Sequence, residues 1–338
     1  MRVDKALPRM NYYVDVFGYC NLRCPSCPVG NWPKDEASYT KGMISEDLFR
    51  RILEKAKSES TVASIGLFNW TEPLLNPNLP ALIRMVKSYG LWSAVSSNLN
   101  LLKNEDALMA ADPDWFRVSV SGFRQEIYER NHREGDIEQV KRNMRLLADA
   151  KKRTGARTDC EVFFHRYVDN AADEEPMRAY AESLGYRFQS AWAYMMPVEK
   201  IISYVDPSSP EVVLTSEDYA LMDRLALPTD EAVALTASHH VTRCDLQDEF
   251  MAIDVKGDVY LCCATSGRPT NRIGGFLELT LEEIQARKRE HRLCGSCMKM
   301  GLPDYLSHRE PKFEELGQRQ RRLWQERQES FACTPITS

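Results

Sequence analysis

The segment Tyr12-Tyr-Val-Asp-Val-Phe17 leads through Gly18 and Tyr19 into Cys20-Asn-Leu-Arg-Cys24-Pro-Ser-Cys27. A short run of β-branched and aromatic residues closed by glycine predicts a strand. That strand hands over to a loop carrying three thiols. Three thiolates on one short loop can ligate three irons of a [4Fe–4S] cube and leave the fourth iron without a protein ligand. A zinc ion with a distant fourth ligand is the competing use, although zinc sites usually pair their cysteines as C-x2–4-C.

Outward from this loop, strand and helix patterns alternate. Strands are predicted at Tyr12–Phe17, Ser64–Asn69, Trp92–Ser97, Phe116–Ser121, Cys160–His165 and Arg187–Ala193. Between them, Ser45–Ser58 places Leu48, Ile52 and Ala56 on one helical face, and Asp136–Lys152 does so with Val140, Met144, Leu146 and Leu147. Six such units imply parallel strands with right-handed crossovers. Six are too few for a closed eight-stranded barrel, so the expected fold is α/β, a partial (β/α)6 TIM-like barrel over residues 1–200. Residues 201–242 read as a connector broken by Pro207, Pro210 and Pro228. Residues 243–310 read as a small domain, a β-hairpin plus a helix, in which Phe250–Asp254 and Asp258–Cys263 flank the turn Val255-Lys256-Gly257. Residues 311–338 form a charged helix, expected to be solvated, and a tail.

Bulk properties narrow the function classes. The balance of 43% hydrophobic and 28% charged residues is that of a globular protein. The net charge is -5 and no basic block stands out, which argues against nucleic-acid binding. Apolar runs are strand-length, so no membrane span is expected, and without a signal core the expected location is cytoplasmic. In a reducing compartment the 10 cysteines are metal ligands or reactive thiols rather than a disulfide framework. Cys20, Cys24 and Cys27 form one spaced group and Cys244, Cys262, Cys294 and Cys297 another; Cys160, Cys263 and Cys333 stand outside both.

The C-x3-C-x2-C spacing resembles that of the radical S-adenosylmethionine (SAM) superfamily, and later segments follow its pattern in order. Asn69-Trp-Thr-Glu72-Pro73 lies where the family carries its Gly-Gly-Glu-Pro-like turn, Ser97 and Asn98 end the third strand, Ser119 and Ser121 close the fourth, and Arg133 lies in a His-Arg-x-Gly segment. The resemblance implies that Asn69 and Glu72 meet the cofactor's amino group, Ser97 and Asn98 its ribose and Arg133 its carboxylate, with Ser119 and Ser121 also binding the cofactor. It implies a [4Fe–4S] cluster on Cys20, Cys24 and Cys27, SAM bound at its open iron, cleavage to a 5′-deoxyadenosyl radical, and a flavodoxin- or ferredoxin-type electron donor. Two positions depart from the family pattern: Ser26 replaces the usual aromatic before the third cysteine, and Trp70 and Thr71 occupy glycine-like positions.

The second group, Cys244-x12-Gly257-x4-Cys262 followed by Cys294-x2-Cys297, resembles the SPASM/twitch extension of that superfamily. Pro303 and Ser307 occupy positions where a full SPASM domain continues its cysteines, so the resemblance is to the one-cluster twitch form, with an auxiliary [4Fe–4S] cluster on these four thiolates. Zinc remains the competing occupant. The family resemblance implies a small-molecule substrate of carbohydrate, aminocyclitol or nucleoside type, oxidised, epimerised or coupled in natural-product biosynthesis. The first strand opens by about Asn11, which leaves no expected room for a peptide-leader domain. Modification of a ribosomal peptide and a non-catalytic metal-binding role stand as alternatives. Cys263, Arg166, His165 and Tyr194 are the expected catalytic residues, with Cys160 a second candidate hydrogen donor, and Trp192, Tyr305 and His308 are expected at the same barrel mouth.

Overall fold

The computed structural model describes residues 7–31, 40–239 and 241–332. Strands β1 (Arg9–Val14), β2 (Thr61–Gly66), β3 (Ser93–Ser97), β4 (Trp115–Val120), β5 (Asp159–Arg166) and β6 (Arg187–Trp192) lie side by side, each parallel to its neighbour. Helices α1 (Pro28–Asn31), α2 (Glu46–Glu59), α3 (Leu79–Ser88), α4 (Glu105–Ala110), α5 (Gln125–Asn131), α6 (Ile137–Thr154) and α7 (Ala171–Ser183) connect them. Three short helices follow, α8 (Val198–Val205), α9 (Ser216–Met222) and α10 (Thr229–Ala237), then α11 (Asp245–Asp248). Strands β7 (Phe250–Ile253), β8 (Asp258–Tyr260) and β9 (Arg272–Gly275) precede α12 (Leu281–Glu290), α13 (Arg292–Lys299), α14 (Leu302–Leu306) and α15 (Phe313–Ala332).

The sheet order is β6-β5-β4-β3-β2-β1-β7-β8-β9, an open nine-stranded sheet. This is the α/β partial-barrel class expected from the sequence. β7 joins β1 in parallel and β8 and β9 continue antiparallel, so the segment containing the second cysteine group extends the barrel sheet. Alternation along β4 sends Phe116, Val118 and Val120 into the apolar core, and Arg117 and Ser119 to the opposite, half-buried face. β5 does the same with Cys160, Val162 and Phe164 against Phe163 and His165.

Local chemistry sets the element ends. Ser45 caps α2 by accepting from the Leu48 N–H, and Asp136 caps α6 through Glu138 and Gln139. β1 and β2 each end three residues before their expected limits. Beyond β2, the Asp15 side chain gathers the backbone N–H groups of Asn69, Trp70 and Thr71 into a turn. Leu146, expected on the buried face of its helix, is 42% exposed, because it lies off the row formed by Val140, Met144 and Leu147.

The C-terminal helix docks along its first half, while residues 325–330 are exposed. Phe313, Leu316 and Arg321 of α15 are buried, and Arg321 donates to the Tyr167 carbonyl, Glu174 and Asn170. A Cβ on Gly317 would lie 2.5 Å from the Trp192 ring, so only glycine lets the helix approach this closely. Cys333 lies outside the described residues. Among those described, no helix is long and apolar enough to cross a membrane.

Candidate active site

Cys20, Cys24 and Cys27 sit on the loop between β1 and α1. Turn bonds from Cys27 N–H to the Cys24 carbonyl (3.1 Å) and from Gly30 N–H to the Cys27 carbonyl (2.9 Å) fold the loop on itself. A Cβ on Gly30 would come within 2.1 Å of the Cys24 carbonyl oxygen, so glycine is required for this packing. The Asn31 amide donates to the Pro25 and Met196 carbonyls, 2.7 Å each, fastening the loop to the far wall. Burial pushes the Cys20 and Cys24 thiols up and raises Cys27 to about 11. These thiols therefore stay protonated until a metal displaces the proton.

Three thiolates on one short loop, opening onto a cavity, are a donor set that fits a site-open [4Fe–4S] cluster.

The three cysteines open onto a cavity of about 500 Å³ at the C-terminal ends of the parallel strands. Of the expected site residues, Asn69, Glu72, Ser97, Asn98, Ser119, Ser121, His165 and Tyr194 all line it, as do Trp192 and His308. Glu72 is buried and accepts from the Ser97 hydroxyl (2.7 Å), the Leu74 N–H (3.0 Å) and the Asn98 N–H (2.9 Å). Desolvation raises its carboxyl to about 7. Asp15 stands beneath the same turn, one oxygen accepting from three backbone N–H groups and, at 2.6 Å, the Thr71 hydroxyl.

Other expected residues lie elsewhere. Arg133 is 41% exposed, pairs with Glu217 at 2.8 Å and does not line the cavity. Its neighbour His132 does line it, buried and stacked on Tyr128 with ring centroids 4.6 Å apart and Nδ1 unpartnered. Arg166 lies behind the wall, its guanidinium over Trp192 at 3.7 Å and paired with Glu174 and Glu314, where it clamps α15. Tyr305 is behind Tyr194, centroids 5.9 Å apart, and does not line the cavity either. Strand alternation points Cys160 into the core beneath the helices, away from the cavity. Cys263 also lies outside the lining, its thiol against Cys262 and close to Tyr13 and Tyr194.

His165 Nδ1 lies 3.2 Å from the Val120 carbonyl, which can only accept, so this nitrogen carries the proton and Nε2 is left with a lone pair. Burial lowers its pKa to about 4, keeping the ring neutral. Several lining residues were missed from sequence, among them Arg117, His132, Phe163 and Tyr167. The Tyr167 hydroxyl lies beside Ser26, so an aromatic ring reaches from β5's end to the position where Ser26 lacks one. For Arg117 the signal was present: it alternates with Phe116 and Val118 and falls on the face of Ser119.

Cys244 caps α11, Cys262 follows β8, and Cys294 and Cys297 sit three apart on α13. The four are close enough for the charge on Cys262 to act on each of the others. Lys288 of α12 is fully buried beside Cys262, Cys263, Cys294 and Cys244, its ammonium donating to the Phe250 carbonyl at 2.7 Å.

A match to the Radical SAM superfamily spans residues 14–171. A cofactor-modifying protein of the tungsten-containing aldehyde ferredoxin oxidoreductase from Pyrococcus furiosus is 28% identical over 124 residues, 36% of this chain and 33% of that protein. The chain thus matches about a third of that relative's length. In fold it is similar to anSMEcpe with bound AdoMet (TM-score 0.55, 13% identity, 84% of this chain and 80% of that one). It is also similar to Streptococcus suis SuiB bound to S-adenosylmethionine (TM-score 0.56, 12% identity, 86% and 68%). With its cysteine loop at the strand ends of a partial barrel, the matched segment, residues 14–171, is a radical SAM domain.

Proposed function

We propose that this enzyme uses a cluster on Cys20, Cys24 and Cys27 to cleave SAM and acts on a small polar substrate in the adjoining cavity. The observation that carries this is the convergence of the three cysteines with Glu72, Asn98, Ser119 and Ser121 on one cavity. When bound, cluster and cofactor supply a 5′-deoxyadenosyl radical able to take hydrogen from an unactivated carbon. Glu72 offers its buried carboxylate to an ammonium group, with Asn69 beside it. Ser97 holds Glu72 in place, while Asn98, Ser119 and Ser121 present polar groups to a ribose. Arg133 lies next to the cavity-lining His132 and can reach a carboxylate only by leaving Glu217. His165 Nε2 can accept the proton of a substrate hydroxyl, and Tyr194 walls the same side.

Cys244, Cys262, Cys294 and Cys297 would hold an auxiliary [4Fe–4S] cluster of the twitch type. An electron acceptor behind Tyr194 would suit a net oxidation, with the Cys263 thiol adjacent. The hydroxyl and amide groups set among the aromatic lining, Asn69, Asn98, Ser96 and Ser119, suit a carbohydrate, aminocyclitol or nucleoside in natural-product biosynthesis rather than a peptide. A flavodoxin- or ferredoxin-type donor would supply the electron, in a reducing compartment such as the cytoplasm.

The test is the iron and sulfide content of anaerobically reconstituted protein, beside a variant with Cys20, Cys24 and Cys27 changed to Ala. About eight irons should fall to about four, and 5′-deoxyadenosine formation should vanish. Zinc in place of iron, with no loss in the variant, would refute the proposal. Deuterium transfer from candidate sugars, set against candidate peptides, decides the substrate class.

A further inference from the structure

Arg117 is the one lysine or arginine among the described residues lining the cavity, and Glu72 the one acid. It sits on β4 two residues below Ser119 and three below the strand end at Val120, about 10 Å at 3.3 Å per residue. Opposite it in register are Ser96 of β3 and Glu161 of β5. Glu161 acts on Arg117 through its charge, but its ion pair is with Arg187 at 2.9 Å, and no carboxylate among the described residues comes within ion-pair distance of Arg117. Its single hydrogen bond is from Nε to the Ser96 hydroxyl at 3.0 Å. Aromatic rings surround the guanidinium: Trp115 and Phe163 at 5.0 Å and Phe68 at 5.7 Å.

A guanidinium has five N–H donors in a planar fork. Aromatic faces soften its desolvation, but they leave the Nη edge open to the cavity with no acceptor among the described residues. Glu72 is held by the Leu74 N–H and by the Ser97 hydroxyl and Asn98 N–H at the end of β3, and makes no ion pair with Arg117. Arg117 also stands between the two cysteine groups. Above it are the strand ends that carry the cofactor residues; Tyr13 and Tyr194, which lie near Arg117, are also near Cys263. A molecule between cofactor and auxiliary cluster would lie against this fork.

We infer that the substrate carries an oxyanion, a carboxylate or a phosphate, which the Arg117 fork binds on the cavity floor while the carbon to be attacked points toward the cysteine loop. This rests on the proposed function above and narrows its substrate class to anionic molecules, such as a uronate or a sugar phosphate.

The experiment uses reconstituted holoenzyme with SAM present and compares binding of D-glucose, D-glucuronate and D-glucose 6-phosphate by calorimetry. Wild type should bind one anionic sugar at least tenfold tighter than glucose, and which one identifies the anion. R117M should lose about 10- to 100-fold of that affinity, the range for a charge-assisted hydrogen-bonded pair, and R117K should recover part of it without the fork. SAM affinity, measured in the same variants, should not move. Equal binding of glucose and both anions to wild type overturns the inference whether or not the variants fold. A matching loss of SAM affinity in R117M also overturns it, assigning the fork to the cofactor's own carboxylate. Absence of 5′-deoxyadenosine from wild type with dithionite would instead sink the underlying function, so the two failures are separable.

Discussion

Asp15 should be the residue on which the cofactor turn depends, and its replacements separate charge from hydrogen bonding. One carboxylate oxygen takes the N–H groups of Asn69, Trp70 and Thr71 at 3.0 to 3.2 Å and the Thr71 hydroxyl at 2.6 Å. Burial outweighs these donors and raises the carboxyl from 3.8 to about 6. Keeping it ionised in the folded protein at pH 7 therefore disfavours the fold by about 3 kcal/mol. The sign follows from the raised value: stability is greatest below about pH 4 and falls as pH climbs toward 6, then stays level. Asp15→Asn keeps an acceptor oxygen and removes the charge, so it should unfold within about 1 kcal/mol of wild type at pH 7.5. It should also lose Asp15's share of the decline between pH 4 and 6. Asp15→Ala orphans the four donors and should lose about 3 kcal/mol, with weaker SAM binding because the turn carrying Glu72 loosens. Urea denaturation of the metal-free protein across this pH range is the assay. An Asp15→Ala variant with wild-type stability and SAM affinity would refute the reasoning.

Glu72, with a carboxyl near 7, should release a proton when it receives an ammonium group. SAM affinity should then rise as pH passes from 6 to 8, and Glu72→Gln should flatten that rise; calorimetry in buffers of different ionisation enthalpy reads the proton. Gly30→Ala would force a methyl to 2.1 Å from the Cys24 carbonyl oxygen. It should cut iron bound at the first cysteine group while leaving the second group's iron in place, and full iron content in this variant would show that the loop yields. Lys288→Met removes a buried cation beside the second cysteine group. Less positive charge near a cluster disfavours its reduced state, so the auxiliary potential should move to more negative values in a redox titration followed by electron paramagnetic resonance. An unmoved potential would show that Lys288 serves only the Phe250 carbonyl.

Much of the site was legible because its residues sit at strand ends. Once the six strands are placed, Glu72, Ser97, Asn98, Ser119 and Ser121 must cluster, since parallel strands gather their C-terminal ends on one rim. Arg133 and His132 show where this logic weakens. They lie on a loop beyond the strand, where adjacent residues point to different sides and spacing alone does not say which enters the cavity. Arg166 shows a second failure: it ends a strand as expected, but Glu314 from 148 residues away captures it. Such a partner leaves no local trace in the sequence.

The chain's order of residues determined by itself that three thiols follow a strand, that strand and helix alternate, and that a second cysteine group lies downstream. These follow from short-range effects: β-branched runs, caps, glycine turns and ligand spacing. Tertiary structure alone decided that β7 pairs with β1, that the charged C-terminal helix docks through Arg321, and that Arg117 lies in the cavity with no carboxylate ion pair among the described residues. Those outcomes depend on which distant side chains meet when apolar faces are buried, and burial is a property of the assembled sheet and helices rather than of any segment.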